Sequence, residues 1–216
     1  MPFLRFRDRR SERYDSLTEK VARRVLSRGA TTVDIGAHTG AILRRLVKVA
    51  PLGRHYAIEP LPQLAERLRA TFPSVTVLEV ALAERDGTLP FRHVLAEPAY
   101  SGFDRRPWDT YAENVEMIEV QVRRLDDVLE GVPVDFIKVD VENAELRVFQ
   151  GAPETLSKRP FVAFEVGDKF LDVYDLLTET GLSVSRLQDW LAGRPQLSRD
   201  DFAAARKNDF FFLAHP

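Results

Sequence analysis

Thr32-Val33-Asp34-Ile35-Gly36-Ala37-His38-Thr39-Gly40 is the stretch from which the rest of the chain can be read. A short apolar run ends in an acid and a pair of glycines, and an amphipathic pattern begins at Ala41. That order predicts a strand, a tight turn and a helix N-terminus, which together let a backbone approach a nucleotide-like ligand closely. Glycine is needed where a side chain would block the ligand or where the turn demands positive φ. The spacing is GxxxG rather than the GxGxxG of dinucleotide sites, so a pyrophosphate cradle, and with it a nicotinamide dehydrogenase, fits poorly.

Outward from this turn the chain alternates. Upstream, Ser16-x-x-Glu19 has the form of a capping box, and Tyr14, Leu17, Val21 and Val25 recur at helical spacing as far as Gly29. Such a helix should lie across the sheet and help close the ligand site. Downstream, Ile42, Leu43, Leu46 and Val47 form a buried helical stripe ended by Pro51 and Gly53. His55–Glu59 predicts a second strand, Pro62 opens a helix with Leu64, Leu68 and Phe72 inward, and residues 75–80 predict a third strand. This β-α-β-α-β order implies parallel strands with right-handed crossovers. Residues 88–95 and 118–124 then predict two strands on either side of a polar and aromatic stretch, 96–117. That stretch is long for a neutral connector and suggests a lid, with Tyr100, Phe103 and Trp108 able to stack on a flat ligand or pin the loop. The alternation resumes with strands at 134–139, 161–166, 182–187 and 210–213, and with helices at 143–150 and 170–180. Asp168 is placed to cap the last helix and Gly181 to end it.

The 216 residues suit one domain with a substantial core, at 44% hydrophobic and 30% charged. Residues 1–30 would be an N-terminal arm and helix. The arm carries Arg5, Arg7, Arg9, Arg10 and Arg13, read as a solvated segment or as a flap for an anionic substrate or partner subunit. A net charge of -2 lacks the basic excess of a dedicated nucleic-acid binder. With no cysteine, neither disulfides nor thiolate chemistry enter. No run is long enough to span a bilayer and no signal-peptide core is present, so a cytoplasmic protein without a membrane partner is expected. An exposed arm and loop leave room for a homodimer.

In an open parallel sheet, ligands sit beyond the carboxyl ends of the strands where strand order reverses. Asp34 and the glycine turn end the first strand, and Glu59 ends the second, where a carboxylate can accept both hydroxyls of a ribose. The third ends near Ala81, whose small side chain would let the backbone meet a base edge. The fourth ends at Asp140, followed by Glu142, and the fifth at Glu165, followed by Gly167 and Asp168. Acids converging on one rim raise each other's proton affinity or recruit a cation. Helix capping is the simpler role for Asp168, whereas Asp140 is a candidate for chemistry. Among the histidines only His38, inside the glycine turn, is placed to meet a ligand. No pair has metal-ligand spacing.

With these residues assembled, the chain resembles the FkbM-type methyltransferases, within the S-adenosylmethionine-dependent Rossmann-like enzymes. The matching pieces are VDIGAHTG at 33–40, AIEP at 57–60, VALAERDG at 80–87, RLDDVL at 124–129 and DFIKVDVENAELRVFQGA at 135–152. The last is the most specific, and Asn143 departs from it where the family usually has glycine. The resemblance implies an α/β class I methyltransferase fold: a seven-stranded, mostly parallel sheet with its last strand antiparallel and helices on both faces. It implies methyl transfer from S-adenosylmethionine to oxygen, on a sugar or another small polar acceptor. By analogy Asp34, Gly36 and Gly40 hold the methionine moiety and the turn, Glu59 holds the ribose, and Ala81 and Leu82 lie near adenine. Ser101 and Asp140 would reach the cofactor too.

The sulfonium methyl arrives activated, so the protein must hold the acceptor oxygen in line and remove its proton. Asp140, Glu142 and Glu165 are the candidate bases. Asp140 and Glu165, ending neighbouring strands, are also candidate metal ligands, placed like the magnesium-binding acids of catechol-type O-methyltransferases. Hard oxygen ligands favour Mg²⁺. Rival readings are an RNA or protein methyltransferase, and a non-catalytic module that binds S-adenosylmethionine without turnover.

Overall fold

The computed structural model describes residues 3–104 and 114–216, with side chains from Glu12 onward. It opens with α1 (Phe3–Val25), β1 (Thr32–Ile35), α2 (Ala41–Val49), β2 (His55–Ile58), α3 (Pro62–Thr71) and β3 (Thr76–Leu78). Next come β4 (Ala81–Leu82), β5 (Gly87–Val94), β6 (Val115–Arg123) and α4 (Leu125–Leu129). β7 (Phe136–Val139), α5 (Glu145–Gln150), α6 (Pro153–Ser157), β8 (Phe161–Glu165) and α7 (Phe170–Glu179) follow. β9 (Ser183–Arg186), α8 (Leu187–Leu191), α9 (Arg199–Ala205) and β10 (Phe211–His215) complete the order.

The main sheet has seven strands in the order β3-β2-β1-β7-β8-β10-β9. β1 pairs in parallel with both β2 and β7, whereas β10 runs antiparallel between β8 and β9. Strand order therefore reverses between β1 and β7, and the fold is the Rossmann-like α/β arrangement that the motifs imply. β1 is buried at every position, as a central parallel strand covered on both faces must be. Successive residues of β7 serve opposite layers. Phe136 packs with Tyr14 and Val21 of α1 and Ile42 and Leu46 of α2. Ile137 packs with Val148 and Phe149 of α5 and Val173 of α7. A second sheet of three strands, β4-β6-β5, stands apart from the first.

Several expectations are corrected. Ser16 caps nothing, because α1 already begins at Phe3. No proline or glycine interrupts residues 3–25, and arginine is a good helix former, so the expected arm is helical backbone. Glu19, freed from the capping role, pairs with Arg23 and Arg45. The helix expected from Asn143 starts at Glu145, since Glu142 and Asn143 are left-handed at φ 49 and 80. Asp168 does not cap α7, whose N-cap is Lys169. β6 begins at Val115 rather than Ile118, because pairing with β5 continues to Val94, which shortens the expected loop. Trp108 lies outside the described residues. No described helix is long and apolar enough to cross a membrane.

Candidate functional site

The turn after β1 packs backbone to backbone against the tip of β7. Gly36 has φ +70, and a Cβ there would collide with the Asp140 carbonyl oxygen. The Gly36 and Ala37 N–H groups both donate to the Ile58 carbonyl, which fixes the turn against β2. Gly40, with φ +78, is tight against the rings and methyls of Phe72 and Leu68, so it serves the packing of α3.

Behind this turn lies a buried charge network. The Lys138 ammonium donates to the Gly36 carbonyl at 2.8 Å and stands 3.2 Å from Asp34 Oδ1 and 3.6 Å from Asp140 Oδ2. Burial alone would depress the lysine, but the carboxylates of Asp34 and Asp140 offset it and hold the ammonium above its ordinary range. Asp34 is completely buried. It thus sits beneath the glycine turn with Lys138 as counter-ion. From α1, Asp15 faces the same group. Burial pushes its carboxyl up to about 6, against the pull of Lys138 and Arg45 and with a further push from Asp34 and Asp140. Sequence reasoning named neither Asp15 nor Lys138 as a site residue. The available signal was a lysine amid the apolar Phe136-Ile137-Lys138-Val139, since lysine is rarely buried unpaired.

In front of the turn a cleft opens at the strand tips. Gly36, His38, Glu59, Ala81, Leu82 and Ser101 line it, and Asp140 and Glu142 complete the rim. Glu59 is 4% exposed, and its two oxygens accept the N–H groups of His38 at 2.8 Å and Leu61 at 3.0 Å. Burial raises its carboxyl, while those two N–H groups pull it down. Each oxygen keeps a second lone pair for a ligand hydroxyl. His38 adopts φ 49, which turns its N–H toward that acid. The Ser101 hydroxyl oxygen accepts the Val94 N–H at 3.0 Å, leaving its proton to donate. Phe91 and Phe103, edge to face at 5.4 Å, wall the cleft from the side of the second sheet.

Asp140, Glu142 and Glu165 converge, each offering a carboxylate oxygen within 4.8 Å of the others. Glu165 ends β8 and lies beside the cleft rather than in its lining. Among the residues expected at the site, Asp34, Gly40 and Glu165 therefore stand outside the cleft wall, and the rest of the set is gathered on it. Two other histidines are structural. His55 bridges Thr32 and the Ala50 carbonyl, and His215 bonds Ser185. Chemically, the cleft joins apolar walls to the buried carboxylate of Glu59 and to the acids Asp140 and Glu142. That combination fits a nucleoside bearing a reactive group beside an alcohol.

The Methyltransferase FkbM domain matches residues 34–184. Among characterised proteins, the 2-O-methyltransferase NoeI of Sinorhizobium fredii is 29% identical over 160 residues, covering 64% of this chain and 64% of that protein. The methyltransferase sdnD of Sordaria araneosa is 27% identical over 155 residues, covering 56% of this chain and 60% of that one. The chain thus spans under two thirds of the length of these relatives. Among solved structures, the precorrin-6y C5,15-methyltransferase of Geobacter metallireducens is 14% identical, with TM-score 0.48 over 77% of this chain and 72% of that one.

Proposed function

This chain belongs to the FkbM methyltransferase family, an S-adenosylmethionine-dependent group, and from that premise we propose that it methylates a hydroxyl oxygen of a small polar acceptor, a sugar or glycoside. The observation that carries the reading is the convergence of the Asp140, Glu142 and Glu165 carboxylates, the first two of which line the same cleft as Glu59.

S-adenosylmethionine supplies an electrophilic methyl group. The protein's part is binding, alignment and proton removal. Glu59, already held rigid by two backbone N–H groups, accepts the ribose hydroxyls. Ala81 and Leu82 provide the apolar wall for the base, with Gly36, His38 and Ser101 along the remainder of the cofactor. Asp34 acts from beneath, through Lys138 and the Gly36 carbonyl, by keeping the turn in place. A neutral alcohol is a weak nucleophile, so Asp140 takes its proton as the oxygen forms its new bond. Glu142 and Glu165 orient the acceptor and share that proton's path. The 2-O-methyltransferase name of a relative supports oxygen as the acceptor atom. The same carboxylates are hard donors that would hold Mg²⁺, which would lower the proton affinity of a bound hydroxyl.

The test is methyl transfer to a panel of hexoses and methyl glycosides, run with and without EDTA. Asp140→Asn should abolish transfer while leaving S-adenosylhomocysteine affinity within about threefold, since binding and proton removal are separate tasks. Near-normal turnover by that variant would remove Asp140 from its role, and EDTA insensitivity would remove the metal.

A further inference from the structure

We propose that Asn143 is a positioning residue that sets the spacing of the carboxylate rim by clamping the turn after β7 to the turn after β8. The clamp is reciprocal. Asn143 Oδ1 accepts the Asp168 N–H at 2.5 Å, and Asn143 Nδ2 donates to Asp168 Oδ2 at 3.0 Å. One turn carries Asp140 and Glu142, and the other follows directly on Glu165, so the side-chain amide spans the two sources of the rim.

Three further features turn on the same joint. Asn143 holds φ 80 directly after Glu142 at φ 49, two left-handed residues in a row that cost energy unless their surroundings fix them. Asparagine tolerates that region better than most side chains. The Asn143 N–H donates to Glu145 Oε1 at 3.1 Å, and Glu145 is 2% exposed, so the turn is anchored inward as well. At Gly167 a Cβ would collide with Asn143 Oδ1, so the two turns approach closely only because that position has no side chain. The β7–β8 ladder ends at Val139 and Phe164. Beyond it Asp140 is held to β1 through the Ile35 carbonyl and Glu165 to β10 through its pairing with Phe211, so the Asn143 side chain is a direct tie from one turn to the other.

The inference rests on the reading of the rim as catalytic. Its test uses Asn143→Gly, which suits the left-handed backbone and deletes the clamp, with Asp168→Ala as a second variant that spares the Asn143 backbone. Hydrogen exchange of the Asp168 amide should speed up about tenfold in Asn143→Gly while the β-ladder amides are unchanged. In transfer to methyl glycosides, kcat should fall about tenfold, with KM for S-adenosylmethionine within about twofold. Asp168→Ala should move the same two readouts in the same direction by less. Unaltered exchange at Asp168, or full kcat in Asn143→Gly beside an inactive Asp140→Asn, overturns the clamp alone. Should the parent enzyme methylate no glycoside, the acceptor reading fails instead. A crystal structure of Asn143→Gly then decides the clamp: oxygens still within 4.8 Å refute it, and a widened rim supports it.

Discussion

Glu59 holds the β1 turn through the His38 N–H, and the ribose role proposed for it uses its remaining lone pairs. Glu59→Ala should weaken S-adenosylhomocysteine binding by about a hundredfold, from the lost acceptors and the loosened turn together. Calorimetric titration reads this directly, and unchanged affinity would take the acid out of the ribose role. Asp15 carries a different liability. Its carboxyl titrates near 6 in the fold, against an ordinary value of 3.8. The native state therefore holds the proton more tightly than the unfolded chain. Below about pH 4 both states are protonated and there is no penalty; the penalty grows as pH rises to 6 and is complete above it. Asp15→Asn should flatten that part of the stability profile and raise the melting temperature at pH 7.5, while leaving it unchanged at pH 3.5. A melting series across pH in the two proteins settles it.

At the scale of elements, α1 does more than cover the sheet. It brings Asp15 to Lys138, and it is fastened by Tyr14, whose hydroxyl donates to Asp209 at 2.8 Å just before β10. Burial, reinforced by that carboxylate, pushes the phenol up to about 12. Tyr14→Phe should cost about 1.5 kcal/mol in urea unfolding, the value of a hydrogen bond to a charged group. Most elements were legible because their physics is local. Apolar stripes at helical spacing gave α2 and α3, the Gly181 stop marked the end of α7, and buried apolar runs gave β1, β7 and β8. What was not legible depends on distant partners. The start of α1 was missed because a run of arginines looks like a solvated tail when its helical continuity is ignored. Asn143 reads as a helix start from its neighbours, and only the Asp168 amide explains its left-handed turn. The rim acids were visible at the strand ends, yet Lys138 was not, since nothing in one strand announces that Asp34 and Asp140 flank it.

For the molecule as a whole, a net charge of -2 lacks the basic excess that draws a polyanion to a protein. Transfer to a neutral glycoside should accordingly vary by less than about twofold between 50 and 500 mM NaCl, whereas RNA as substrate would show a steep decline. Kinetics over that salt range separate the two. The order of strands carries one more consequence. Residues 211–215 form β10, which runs between β8 and β9 and supplies the hydrogen-bonding partner of both. On the ribosome, then, the place between β8 and β9 stands as an open slot until residues 211–215 are available to fill it. Until β10 emerges and zips into it, two bare backbone edges face each other, each able to recruit a foreign strand. Ribosome-bound chains that stop short of Phe211 are where chaperones would be needed most.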